Sequence, residues 1–249
     1  SSSINPKTVL SSNSQIMTAQ KLTTAQNLTC CVCMDDLQVD CLTFSRLTCC
    51  GKAMHKHCDE GVRKSKMSVA QKNHCPECCQ KVPGSDKEHA KQVRLWVDTG
   101  KAWAQSHLAN LYQHGKGVPQ SYDEAIKFYH SAITQGDPNA MFELASMYAG
   151  GEGVAQSFEK AAELYALAAN QGHATAQCCL GVLYTTGDGV AQSFEKAFEL
   201  YTLATNQRHA GAQSKLGLLY IRGQGVAQSN DMAREWWLKA ALQGIEGAF

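Results

Sequence analysis

No stretch of the chain approaches the roughly 18 consecutive apolar residues that mark a membrane-spanning helix, so no span is expected. Charge of one sign is also missing: 23 Lys+Arg stand against 22 Asp+Glu, a net of +1 over 249 residues. Affinity for nucleic acid comes largely from neutralising phosphates, so this balance argues against a dedicated nucleic-acid binder. The start, Ser1-Ser2-Ser3-Ile4-Asn5-Pro6, has neither the basic segment nor the apolar core of a secretory signal. It also lacks an initiator Met, which reads as a piece of a longer chain. Acidic residues are absent from 1–27, a stretch of Ser, Thr, Gln and Asn with two lysines. Too little apolar surface is present there to offset the entropy of ordering, and a disordered tail is expected.

Cysteine, by contrast, is abundant and unevenly placed. Ten of the 12 cysteines lie between Cys30 and Cys79, and the other two are Cys178 and Cys179. Cys-x-x-Cys pairs without a secretory signal favour metal binding over a disulfide framework. That places the chain in a reducing compartment, the cytoplasm or the nucleus. The expected organisation is a tail at 1–27, a zinc module at 28–83, a linker with a degenerate half repeat at 84–101, and repeats over 102–249. Pro83-Gly84-Ser85 is turn chemistry at the second boundary. Residues 87–100 read as a helix with Val93, Trp96 and Val97 on one side.

From Ala104 onward the chain repeats at an interval of 36 residues. Ala104, Ala140, Ala176 and Ala212 hold one position, Leu108, Leu144, Leu180 and Leu216 another, Tyr112, Tyr148, Tyr184 and Tyr220 a third. Gly115 and Gly117 recur as Gly151 and Gly153, Gly187 and Gly189, Gly223 and Gly225. The segment Gly-Val-Ala-Gln-Ser-Phe-Glu-Lys-Ala occurs at 153–161 and again at 189–197. Fixed self-similarity at this period means a solenoid of stacked units, none of which buries its apolar face alone. In the second unit, Asp137-Pro138 opens a helix whose face is Ala140, Leu144, Ala145 and Tyr148; the glycines at 150, 151 and 153 stop it. Ser157 then caps a second helix with Ala161, Leu164, Tyr165 and Ala168 on its apolar face, ended by Gly172.

The pattern Ala-x3-Leu-Gly-x2-Tyr-x2-Gly-x-Gly-Val, cleanest from Ala176 through Leu180, Gly181, Tyr184, Gly187, Gly189 and Val190, resembles the Sel-1-like repeat, a relative of the tetratricopeptide repeat. The resemblance covers four repeats from about 102 to 244, and Gly100, 36 residues before Gly136, aligns the preceding helix as the second half of a degenerate copy. It implies a mainly α fold, a right-handed α-solenoid of helix pairs, and a protein-interaction scaffold. By similarity to tetratricopeptide geometry, a protein substrate or peptide is expected on the concave side. Its expected lining is Ser106, Asn110 and Gln113, then Phe142 and Ser146, Val182 and Thr185, and Leu218 and Ile221.

The cysteine-rich segment offers Cys30-x2-Cys33, the adjacent Cys49-Cys50, His55-x2-Cys58 and Cys75-Pro76-Glu77-Cys78. Zinc takes four N or S donors at tetrahedral angles, and two donors on a tight knuckle supply half a site, so four pairs make two sites. Cys41 and His57 are alternative ligands; Cys31, His74 and Cys79 are surplus. The order resembles a RING finger. That resemblance implies Cys30, Cys33, His55 and Cys58 on one ion and Cys49, Cys50, Cys75 and Cys78 on the other. It also implies a groove for a ubiquitin-conjugating enzyme at Val32 and Pro76, completed by Val62 or Met67. A PHD finger would carry an aromatic where Asn73 stands. Where many active RING members place an Arg after the last ligand, this chain has Cys79.

Two functions follow as expectations: a ubiquitin ligase-like protein whose zinc module recruits the conjugating enzyme while the solenoid holds a substrate, or a non-catalytic scaffold with a structural zinc module. Eight ligands in closed pairs leave no open position for a catalytic zinc. The isolated histidines His89, His107, His114, His130, His173 and His209 show no His-x3-His spacing and read as ordinary surface or loop positions.

Overall fold

The computed structural model describes residues 84–243, together with the backbone of two short strands, β1 (Phe44–Arg46) and β2 (Ala53–His55). These strands form an antiparallel pair with Phe44 opposite His55 and Arg46 opposite Ala53. The tail at 1–27 and nearly all of the zinc module lie outside the described residues. So do the side chains of every candidate zinc ligand and of Val32 and Pro76.

Nine helices follow in the described region: α1 (Asp86–Asp98), α2 (Ala102–His114), α3 (Tyr122–Ile133), α4 (Pro138–Gly150), α5 (Phe158–Asn170), α6 (Ala174–Thr186), α7 (Phe194–Asn206), α8 (Ala210–Arg222) and α9 (Asn230–Ala241). Within a repeat, α2 packs on α3, α4 on α5, α6 on α7 and α8 on α9; between repeats, α3 meets α4, α5 meets α6 and α7 meets α8. Each helix touches mainly its sequence neighbours, the quasi-one-dimensional arrangement of a solenoid. The helix expected over 87–100 runs Asp86–Asp98 and packs Val93, Trp96 and Val97 against α2 residues Ala104, Leu108 and Leu111.

The period of 36 is a period of local chemistry. Every second helix starts on a serine: the hydroxyls of Ser121, Ser157, Ser193 and Ser229 accept from the backbone N–H three residues on, at 3.2 to 3.3 Å. This satisfies one of the donors a helix start leaves orphaned. The glutamine before each serine reaches back to the end of the first helix: Gln156 Nε2 donates to the Ala149 carbonyl at 2.8 Å and Gln192 Nε2 to the Thr185 carbonyl at 2.7 Å. One segment thereby closes both helix ends of the hairpin, which accounts for the recurrence of Gln-Ser.

The glycine pair in each inter-helix loop does two different jobs. Gly187 ends α6 in the left-handed region at φ 84°, its N–H bonded to the Leu183 carbonyl. Gly189, also left-handed, lies against the first turn of α5 in the preceding repeat, where a Cβ would run into the backbone of Phe158 and Glu159. The second glycine is therefore an inter-repeat contact as well as a turn residue.

Small residues set the helix spacing. Ala104, Ala140, Ala176 and Ala212 are fully buried, as are Ala125, Ala161, Ala197 and Ala233 and then Ala132, Ala168, Ala204 and Ala240. Leu108, Leu144, Leu180 and Leu216 fill the space between, with Tyr129, Tyr165 and Tyr201 from the second helices. Close-packed interiors tolerate neither added nor lost volume, so this alternation of small and large defines the repeat's register. At Gly181 the approach is tighter still, with a Cβ placed 2.6 Å from the Tyr201 ring.

Candidate functional site

The first helices α2, α4, α6 and α8 carry the residues expected to line a binding surface. Across their face runs a row of second-helix aromatics, each tied to a first-helix polar group. Tyr129 Oη donates to Gln113 Oε1 at 2.8 Å. Tyr165 Oη pairs with Ser146 Oγ at 3.0 Å and Tyr201 Oη with Thr185 Oγ1 at 3.2 Å. Trp237 Nε1 donates to the Ser214 carbonyl at 3.1 Å. Buried Tyr and Trp need partners for their polar ends, and this row supplies them one repeat at a time.

These bonds change the expected lining. Ser106 and Gln113, read as open positions, are buried, and Gln113 is turned inward to serve both Tyr129 and, through Nε2 at 3.2 Å, Glu152 Oε2. Ser146 and Thr185 are partly buried and engaged by their tyrosines. Phe142 stacks on the His173 ring at 4.8 Å and leans on Tyr165 at 5.8 Å, so it is built into the packing of its repeat. Val182 packs against the cluster of Cys178, Tyr201 and Leu216. Leu218 and Ile221 are partly buried and belong to none of the four core clusters among the described residues. Asn110 and Glu143 complete the partly accessible set, and Lys215 is exposed.

Burial dominates the electrostatics of this face. Glu143 is raised to about 7, first by burial and then by the neighbouring Glu152 carboxylate. Burial also pushes the Cys178 thiol up to about 12 and raises Cys179, so both stay protonated at neutral pH and lack thiolate reactivity. Tyr201 is pushed up to about 12 by burial, against the Thr185 hydrogen bond that lowers it. Among the described residues, no three His, Cys, Asp or Glu side chains converge where a metal ion could sit. No described helix is long and apolar enough to cross a membrane.

Of the six histidines expected at surface or loop positions, His114 and His130 are exposed, while the other four take further roles. His173 is fully buried and caps α6, Nδ1 accepting from the Ala176 N–H at 3.1 Å; His209 caps α8 in the same way through Ala212. The signal was present in the period, since 173 and 209 are the positions of the N-cap Asp137 one and two repeats on. His89 and His107 meet across α1 and α2 with their Nε2 atoms 2.6 Å apart. Eighteen residues separate them, half a period, and no sequence motif joins them.

Comparison with known proteins is consistent with this architecture. The Sel1 repeat family profile matches residues 104–137, 138–173, 174–209 and 210–245. A Sel1 repeat protein from Oxalobacter formigenes is 32% identical, with a TM-score of 0.63, over 67% of this chain and 68% of that one. The protective antigen c5321 of uropathogenic Escherichia coli, which displays an SLR fold, is 33% identical with a TM-score of 0.62, over 64% of this chain and 34% of its own. No curated protein matches the chain. With four consecutive repeats matched, the chain belongs to the Sel1 repeat family.

Proposed function

We propose that this protein is an interaction scaffold whose Sel1 solenoid holds a protein partner on the face formed by its first helices. The observation that carries this reading is the partly accessible set Asn110, Glu143, Val182, Leu218 and Ile221, on the same helices that bury Ala104, Leu144, Ala176 and Leu216 in the core. Asn110, Val182 and Leu218 hold one position of the 36-residue period, so the set extends along stacked repeats, and its apolar members collect toward the C-terminal repeats, as an anchor surface requires. Replacement of Leu218 and Ile221 together by Asp tests it. The variant should keep its helical circular dichroism and lose a defined subset of the proteins that quantitative affinity purification finds with the native chain. Intact helicity with an unchanged set of partners overturns the assignment of this face.

The order of donors in the cysteine-rich segment supports a second reading, in which the scaffold is also ubiquitin ligase-like. Cys30, Cys33, His55 and Cys58 would hold one zinc ion and Cys49, Cys50, Cys75 and Cys78 a second, while Val32 and Pro76 meet a ubiquitin-conjugating enzyme. The donor chemistry fits, since thiolate and imidazole are the ligands structural zinc prefers. Zinc in such a site supplies folding energy and no open coordination position. This chain would position a partner's thioester and contribute no nucleophile. Metal analysis of the reduced full chain should then return two zinc ions; one or none rules out the paired sites. A lysine-discharge assay across loaded conjugating enzymes should show activity that Val32→Ala abolishes and Cys79→Arg raises. With no response from any of them, the scaffold reading stands alone.

A further inference from the structure

One side-chain cluster has no role in the repeat architecture: the pair His89 and His107. His89 lies on α1, the segment through which residues 1–83 join the repeats, and His107 lies on α2, the first helix of the first full repeat. Their rings stand edge to face, with centroids 4.9 Å apart, and their Nε2 atoms approach to 2.6 Å. At that separation one nitrogen donates and the other accepts. The hydrogen bond survives while at least one imidazole is neutral. When both are protonated, no lone pair remains, and two like charges face each other in a partly buried site.

The attachment that this pair bridges also includes the Trp96–Trp103 ring contact and Arg94 Nη2 donating to Tyr112 Oη at 3.0 Å, and its buried apolar part is small. The only fully buried apolar side chains of α1 are Ala90 and Val93, with Trp96 and Val97 partly covered. As the first of the described helices, with this little apolar surface buried against the repeats, α1 belongs to the low-stability part of the described structure, where a local interaction decides between closed and open. We propose that the His89–His107 pair is an acid-sensitive clasp, which holds α1 against the first repeat at neutral pH and releases it when both imidazoles are protonated.

The surrounding charges bear on the pair in opposite senses. Asp86, one turn before His89 on α1, favours the proton on His89. Lys116, in the loop after α2, disfavours it on His107. Burial lowers both histidines, and burial together with the charges of His89 and Lys116 holds His107 at about 4. A released imidazole titrates near the ordinary 6.5. The closed state therefore binds fewer protons than the open one. Closure is complete above about pH 6.5 and weakens as pH falls toward 4. With His107 at about 4 in the closed state, a value that includes the charge of His89, the opening constant rises roughly thirtyfold between pH 7.5 and pH 5.

Hydrogen exchange of the full chain, corrected for the intrinsic pH dependence of exchange, tests the clasp. Amides of residues 86–98 should lose protection by roughly thirtyfold between pH 7.5 and pH 5, while those of α4 to α7 keep theirs. Protection of 86–98 that does not change with pH overturns the proposal, as does simultaneous loss along all nine helices. The double variant His89→Gln, His107→Gln can form a side-chain hydrogen bond without titrating and should abolish the pH dependence; a variant that keeps it overturns the clasp. Where that variant fails to hold α1 even at pH 7.5, imidazole NMR titration of the native chain decides. Both histidines must titrate below 6.5, and values at or above it for either one refute the clasp.

Discussion

Two glycines two residues apart give the sharpest test of how the repeats are joined. Gly187 and Gly189 both sit in the left-handed region, at φ 84° and 68°. An alanine at either position meets the same conformational penalty, about 1–2 kcal/mol for an L-residue there. Their surroundings differ. At Gly187 the added Cβ would stand 3.4 Å from the Gln192 Cβ, ordinary van der Waals contact with a loop side chain. At Gly189 it would fall within 2.5 Å of the Phe158 carbonyl oxygen and the Glu159 amide nitrogen, which are backbone atoms in the first turn of α5. Backbone cannot swing aside as a side chain can, so the two repeats must move apart, and overpacking adds about 1–3 kcal/mol. Gly187→Ala should therefore cost about 1–2 kcal/mol and Gly189→Ala about 2–5 kcal/mol. Urea unfolding followed by circular dichroism at 222 nm reads both, and each kcal/mol also lowers Tm by about 2–4 °C for a domain of this size. Equal losses in the two variants, within about 0.5 kcal/mol, would refute the inter-repeat role of the second glycine and leave only its turn geometry.

Loss of the α7 cap in Ser193→Ala should cost about 1 kcal/mol, read by thermal melting, because the Lys196 N–H is left without its acceptor. Tyr201→Phe should cost about 0.5–1.5 kcal/mol, and a double-mutant cycle with Thr185→Val should show the two hydroxyls coupled. Glu143 is raised to about 7, so the folded chain holds its proton more tightly than the unfolded one between about pH 4.5 and 7. Its contribution is fully present below the unfolded value and is lost as pH rises through about 7. Glu143→Gln should accordingly stabilise the protein at pH 8 by about 1–3 kcal/mol and leave it nearly unchanged at pH 4, measured as the difference in urea midpoints.

The helices and their ends were legible from residue order alone. Ser157 and Gly151 act on their own turn of chain, and Gly172 closes α5 from two residues beyond it, so a reader of the sequence needs no neighbour to place them. The repetition made the architecture legible as well, since helix pairs of one pattern can bury that pattern only by stacking. The orientation of individual polar side chains was a different matter. Gln113 was expected on an open face and is buried, because Tyr129 and Glu152, 16 and 39 residues away, take its two ends. His173 and His209 were expected as surface or loop residues, and act as caps because an imidazole nitrogen can stand where Asp137 places a carboxylate. His89 and His107 meet only because α1 and α2 are antiparallel neighbours, which puts residues half a period apart side by side. Residue order, through short-range backbone and capping chemistry, determined the number, length and register of the helices. Only the tertiary packing decided which polar groups face each other across them, because a side chain's partner is set by the distance between helices and not by its distance along the chain.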